Sequence, residues 1–215
     1  MKIIHNRRSW GGCTLLLDIL SPEILHLIIQ KCSLTENELL ELWKAFRKVT
    51  PDSVSHKTKE VMSKLGLQRW IEIKLTLFSK INVLDVGCGT GQTISKLTDD
   101  YGEQLSAFGV DLVVDETTLH NPRVKIVQAN IMSGLPFPDN FFDLMYAWQV
   151  LRYISDKNKL VLVLKDLLRI LKSAGVFVFD DVKNPFEWYD ENVYPHIADQ
   201  CFFKKDKESR YFIKK

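Results

Sequence analysis

From residue 81 onward the chain alternates two hydrophobic patterns. Short, nearly continuous apolar runs fall at 82–86, 106–111, 124–129, 142–147 and 176–180. Between them lie stretches whose apolar positions recur every three or four residues, clearest at 90–98 and 157–171. Runs of the first kind suit strands buried on both faces, and the second kind suits amphipathic helices. Their alternation predicts a parallel sheet covered by helices on both sides. Near the end, Cys201-Phe202-Phe203 and Tyr211-Phe212-Ile213 flank the charged run 204–210. That predicts a hairpin with a solvated turn, lying as an antiparallel edge on the sheet.

Residues 1–80 carry the helical pattern alone. Ser21-Pro22-Glu23 reads as a helix start, because serine caps and proline fits the first helical position. Thr35-Glu36-Asn37-Glu38 reads as a capping box. It leads into Leu39, Leu42, Trp43, Phe46 and Val49 on one face, closed by Thr50-Pro51. A third helix is expected at 55–65, ending at Gly66 in a left-handed conformation, and a fourth at 67–78. The division expected is a helical extension over 1–80 and an α/β domain over 81–215.

Composition adds limits. Apolar residues make up 46% and charged residues 26%, an ordinary globular balance, and the net charge of +2 gives no reason to expect a nucleic-acid partner. The basic pairs Arg7-Arg8, Lys204-Lys205 and Lys214-Lys215 are read as solvated surface. No apolar run approaches the ~20 residues of a membrane span. Residues 1–10 carry Lys2, Arg7 and Arg8 without a cleavage pattern, so no secretion signal is expected. Cys13, Cys32, Cys88 and Cys201 are widely spaced, which fits neither a zinc site nor a disulfide framework and suits a reducing cytoplasm. His5, His26, His56, His120 and His196 lack ligand spacing, so no metal is expected.

The chemistry concentrates in Val83-Leu84-Asp85-Val86-Gly87-Cys88-Gly89-Thr90-Gly91. An apolar strand runs into three glycines at alternate positions, and a helix follows. Glycines allow the tight turn and let a ligand approach the backbone. Asp111 ends the next strand, where a carboxylate can accept hydrogen bonds from both ribose hydroxyls of an adenosine. The dinucleotide fingerprint is Gly-x-Gly-x-x-Gly, whereas this loop is Gly-x-Gly-x-Gly with the acid Asp85 before it. A pyrophosphate gains nothing from a nearby carboxylate. A ligand with an ammonium and a sulfonium tolerates one, so the acid tilts the reading from NAD toward S-adenosylmethionine. The loop also lacks the Gly-Lys-Ser/Thr of a triphosphate-binding loop.

Asp85-Val-Gly87-Cys-Gly89-Thr-Gly91 resembles the first motif of the class I S-adenosylmethionine-dependent methyltransferases, and Asp111 resembles their ribose-binding acid. The segment 135–143, Leu-Pro-Phe-Pro-Asp-Asn-Phe-Phe-Asp, resembles the approach to strand four in the small-molecule branch that includes the ubiquinone/menaquinone methyltransferases. The segment 168–175, Leu-Arg-Ile-Leu-Lys-Ser-Ala-Gly, resembles that branch's turn before strand five. The resemblance covers 81–181. It implies a Rossmann-like, mostly parallel seven-stranded sheet with helices on both faces and a C-terminal antiparallel hairpin. It also implies S-adenosylmethionine as cofactor and S-adenosylhomocysteine as product. The cofactor residues it implies are Asp85, Gly87, Cys88, Gly89, Gly91, Asp111, Leu112, Asn130, Ile131, Ala147 and Trp148. Two positions depart from the family. Asn130 stands where an acid often holds the adenine amino group, and Arg152-Tyr153 stand where histidine is frequent.

The function expected is methyl transfer to a small organic acceptor at oxygen, nitrogen or carbon, by in-line displacement in the cytoplasm. The cofactor brings an activated methyl, so a general base is optional. No residue is assigned as catalytic; Tyr153, Asp181 and His196 are the weak candidates, and Asp180, Trp188 and Tyr189 also follow strands four and five. The helical extension is expected to act as a lid over the acceptor side, or to pair two subunits as a homodimer through its apolar faces. The alternatives are a non-catalytic partner subunit on the same fold, a protein or RNA methyltransferase, and an NAD-dependent oxidoreductase. Ala147-Trp148-Gln149-Val150 stands where amino-methylating nucleic-acid enzymes carry Asn/Asp-Pro-Pro-Tyr/Phe, which argues against that group.

Overall fold

A computed structural model describes residues 34–49, 57–116, 118–180, 186–206 and 209–215. The helix start at Ser21 and the closure at Thr50-Pro51 lie outside them. The chain divides into two units, Met1–Pro51 and Asp52–Lys215. In the first, helix α1 spans Glu36–Val49. Thr35 Oγ1 accepts the Glu38 amide at 3.3 Å while the Glu38 carboxylate accepts the Thr35 amide at 2.9 Å, the reciprocal box expected from the sequence.

The second unit begins with α2 (Lys57–Lys64) and α3 (Leu67–Leu75), joined through Gly66 at φ 59°. The elements β1 (Ile81–Val86), α4 (Gln92–Tyr101), β2 (Leu105–Asp111), β3 (Val124–Gln128) and β4 (Phe142–Ala147) follow. The chain then continues through α5 (Lys157–Ile170), β5 (Leu171–Phe179), α6 (Phe186–Asn192), β6 (Cys201–Asp206) and β7 (Ser209–Lys214). The seven strands form one sheet in the order β3-β2-β1-β4-β5-β7-β6. The first five run parallel, and the terminal hairpin adds antiparallel on β5.

Side chains alternate across each strand. Ile81 and Val83 of β1 face one core with Leu144, Val176, Leu65, Trp70, Ile71, Ile94 and Leu97, so α2, α3 and α4 cover this side. Leu84 and Val86 face the other core with Met145, Phe177, Phe179, Leu160, Leu164 and Leu168, covered by α5 and α6. Leu65, Leu67 and Ile71 are fully buried, so helices that precede residue 81 belong to the sheet's core. Each such side chain contributes about 1.5–3 kcal/mol by leaving water.

Two of the sequence motifs meet in one clamp. The Arg169 guanidinium, from α5, donates to Leu135 O (3.0 Å), Phe137 O (2.9 Å) and the Asp139 carboxylate (2.7 Å). Asp166, one turn earlier, accepts the Leu135 amide at 2.7 Å. Residues 135–139 are thereby fixed as they enter β4. Asp143 is structural: its carboxylate accepts the Asn82 amide at 2.8 Å and Lys172 Nζ at 2.8 Å, tying β1 and β5 to β4.

Among the described residues, no helix is long and apolar enough to cross a membrane, and no group of three or more His, Cys, Asp or Glu could hold a metal ion.

Candidate functional site

The glycine loop leaves β1 at the sheet's carboxyl edge and folds back over β2. The Gly87 and Cys88 amides both donate to Val110 O, at 2.7 and 3.0 Å. Gly87 has φ 71°, and a Cβ there would lie 2.2 Å from Val150 Cγ2, so the chain leaving β4 seats directly on it. Gly89 has φ 56°, and a Cβ there would meet nothing within 4 Å. The first glycine is required by crowding, while the second leaves room beside a backbone that only glycine adopts cheaply. Cys88 is buried, its sulfur against Gly109. The Gly91 amide donates to Cys88 O at 2.9 Å, closing the loop before α4.

Asp111 stands at the end of β2. One carboxylate oxygen accepts the Gly89 amide at 2.8 Å and the other accepts the Val113 amide at 3.0 Å. The acid and the loop predicted from sequence are therefore one hydrogen-bonded unit. Leu112 O accepts Gln128 Nε2 at 3.0 Å, and Ala129 N donates to Asp111 O at 2.9 Å, which carries the edge on to β3. Asn130 caps the short turn Ile131–Ser133, its Oδ1 accepting the Met132 amide at 3.0 Å. The exposed apolar side chains Val114, Leu119 and Met132 stand on these same loops.

On the α4 side of the edge, Asp85 of β1 pairs in register with Tyr146 of β4. Asp85 is 4% exposed and Tyr146 fully buried. Burial raises the Asp85 carboxyl to about 7; the neighbouring Asp111 charge adds to the rise, and the adjacent Tyr146 hydroxyl opposes it. Burial and the Asp85 carboxylate push the Tyr146 hydroxyl well above its ordinary value. The Tyr146 hydroxyl, like Thr90 Oγ1 and Ser95 Oγ of the loop and α4 and Trp148 Nε1 after β4, is buried without a hydrogen-bond partner among the described residues.

The chain leaving β4 supplies the far wall. Ala147 is buried and its carbonyl accepts the Asp180 amide at 3.3 Å. Trp148 is half-buried, with Lys64 Nζ of α2 lying 5.8 Å from the ring centroid. Gln149 takes a left-handed backbone, φ 57°, and its amide donates to the Asp180 carboxylate at 2.5 Å. That bond offsets the strain of a non-glycine residue there.

The weak catalytic candidates do not gather. Tyr153 is half-buried in the turn Leu151–Tyr153, with the Arg152 guanidinium 5.9 Å from its ring centroid. Asp181 lies outside the described residues. His196 lies at the opposite edge of the sheet. Phe202 pairs with Ile213, which pairs with Val176, so β6 starts at the amino end; His196, in the turn Tyr194–His196, precedes that start. Following strand five in sequence does not place a residue at the carboxyl edge, because α6 returns the chain before β6 begins. Tyr189 is core, packed between Phe179 and Phe203. Sequence reasoning missed Tyr146, Gln149 and Val150. Their only trace is position: Tyr146 is the one hydroxyl among the apolar residues 144–147 of β4, and its meeting with Asp85 follows from the β1–β4 pairing.

Residues 84–179 match the family model described as a methyltransferase domain. Over 164 residues the chain is 31% identical to the demethylmenaquinone methyltransferase of Listeria welshimeri, covering 71% of this chain and 66% of that protein. Over 156 residues it is 31% identical to the sterol 4-C-methyltransferase of Caenorhabditis elegans, covering 68% of this chain and 44% of that protein. The chain thus spans less than two thirds of the length of these relatives. Among solved structures, the sugar N-methyltransferase KedS8 of a Streptoalloteichus species superposes with a TM-score of 0.55 at 14% identity, over 80% of this chain and 92% of that one. At that identity the likeness is one of fold. Residues 84–179 are thus similar to a methyltransferase domain, and the fold resembles that of the class I S-adenosylmethionine-dependent methyltransferases. Within that class the domain resembles the ubiquinone/menaquinone type.

Proposed function

We propose that this chain is a methyltransferase that uses S-adenosylmethionine and methylates a small organic acceptor. The observation that carries the reading is the joint made by Gly89 and Asp111: an open glycine whose amide is held by the carboxylate at the end of β2. A paired acceptor at that place suits two vicinal hydroxyls of a ribose. Leu112, Asn130 and Ile131 then flank an adenine, and the buried, unpartnered hydroxyls of Thr90 and Ser95 suit a polar ligand end near Asp85.

The cofactor supplies, when bound, a methyl group already activated by a positively charged sulfur. The protein's own part is to hold that group, align an acceptor and keep water out. Asp111 fixes the sugar end, the glycine loop admits the ligand against its backbone, and Ala147 and Trp148 wall the reacting end. A lid role for α2 is supported by its Lys64, which stands over Trp148. The 31% identical relatives named for a quinone precursor and a sterol support an acceptor of the small apolar kind. A soluble, cytoplasmic setting and pairing of two copies through the first helices complete the proposal.

Calorimetry with S-adenosylmethionine, S-adenosylhomocysteine and NAD tests the cofactor. Saturable binding of the first two and none of the third is the expected outcome; NAD binding alone would replace this reading with an oxidoreductase. Asp111→Ala removes a charged acceptor of two hydrogen bonds, about 3 kcal/mol or more, so affinity should fall on the order of 100-fold while the chain stays folded. Transfer of labelled methyl to a metabolite extract then separates an enzyme from a binding module of the same fold.

A further inference from the structure

Asp85 and Tyr146 sit side by side under the glycine loop, on the face covered by α2, α3 and α4. The groups around them are few. Asp111 closes β2 and Cys88 lies in the loop, and both act on the pair electrostatically. The loop and α4 offer the hydroxyls of Thr90 and Ser95. α2 brings Lys64 over the Trp148 ring. Lys74 of α3 donates to Ala174 O in the turn at the other edge of the sheet, close to Asp143 and Lys172. Past Val178 the same face continues to Tyr211 of β7, whose ring packs on Trp70. The groups that act on the Asp85 charge are therefore one acid, Asp111, and one hydroxyl, that of Tyr146. A buried carboxylate in such company needs a cation or a proton.

We propose that Asp85 and Tyr146 form a proton-holding pair beneath the glycine loop, and that an adenosyl ligand bearing an α-ammonium group binds there as the pair gives up one proton to solvent. The proposal rests on the reading that the loop holds S-adenosylmethionine. The balance is simple. The O–H bond of the Asp85 carboxyl breaks, the proton leaves to buffer, and the carboxylate that remains neutralises the ligand's ammonium. Tyr146 keeps its proton and turns its hydroxyl on the new carboxylate. Tyr146 is thus a positioning residue, acting on the ligand only through Asp85. Because burial holds Asp85 at about 7, the exchange falls within the working range of most proteins. One linked proton means affinity drops about tenfold per pH unit below that value.

The test is calorimetric titration of the full chain with S-adenosylhomocysteine, which keeps the α-ammonium, in buffers of different protonation enthalpy from pH 5.5 to 8.5. The expected result is release of close to one proton at the acid end, falling toward zero at the alkaline end. Asp85→Asn should bind without that release. Tyr146→Phe removes the hydroxyl that favours the carboxylate, so its midpoint should move to higher pH, a shift that mere loss of packing would not produce. Saturable binding with no proton exchange by the wild type, or equal release by Asp85→Asn, overturns the coupling and leaves the binding reading standing. Absence of any binding by the wild type overturns the binding reading and this proposal together.

Discussion

Gly87 and Gly89 have nearly the same backbone and opposite surroundings, so the same substitution should do two different things. An alanine at either position carries the left-handed strain of about 1–2 kcal/mol. At Gly87 the new methyl also meets Val150 at 2.2 Å, and overpacking adds roughly 1–3 kcal/mol. Gly87→Ala should therefore cost about 2–5 kcal/mol in urea denaturation, and Val150→Ala in the same chain should return part of it. Gly89→Ala should lose only the strain, yet weaken adenosyl binding tenfold or more by filling the ligand's room, which calorimetry reads. The sequence made both glycines and Asp111 visible, because spacing alone ties them. It kept silent on why Gly87 must be glycine, since Val150 lies 63 positions away and reaches it only through the β1–β4 pairing.

Elements were legible where one strand carries its own pattern. β4 occupies 142–147 in both the apolar pattern and the structure. α4 begins at Gln92 rather than residue 90, because Thr90 and Gly91 complete the loop. β5 begins at Leu171 rather than residue 176, because Leu171 pairs with Phe142 across a register shift; Lys172-Ser173-Ala174 bulges between, with Ala174 at φ 57°. The polar residues hid a pairing that only the partner strand defines. The same region carries a testable dependence. Arg169 holds three groups of the 135–139 segment from α5, yet is itself about a third exposed, 35%, so solvent discounts its ion pairs. Its two bonds to buried-side carbonyls carry the larger share, and Arg169→Ala should cost about 2–3 kcal/mol. Hydrogen exchange should accelerate first at Leu135 and Phe137. Uniform exchange across the sheet would instead mean that the clamp is merely surface decoration.

For the molecule as a whole, the site runs against stability. The strand ends near the loop carry two acids, Asp85 and Asp111, and the first of these is shut inside the core. In the unfolded chain Asp85 ionises near 3.8, while in the folded chain it holds its proton up to about 7. Between those values the native state binds one proton more than the unfolded state, so stability falls as pH rises. The contribution is fully present below about 4, is lost through about 7 and is absent above, with a span of at most ~4 kcal/mol from a shift of about three units. Urea midpoints of the ligand-free protein should therefore slope downward from pH 5 to 7.5, and Asp85→Asn should flatten that slope and be the more stable of the two at pH 8. If wild type and variant run parallel through this interval, Asp85 is ionised throughout and some cation of the chain already answers it. A slope of the expected sign identifies the buried acid as a group retained at a cost to the fold, which a polar ligand at the loop would offset by mass action.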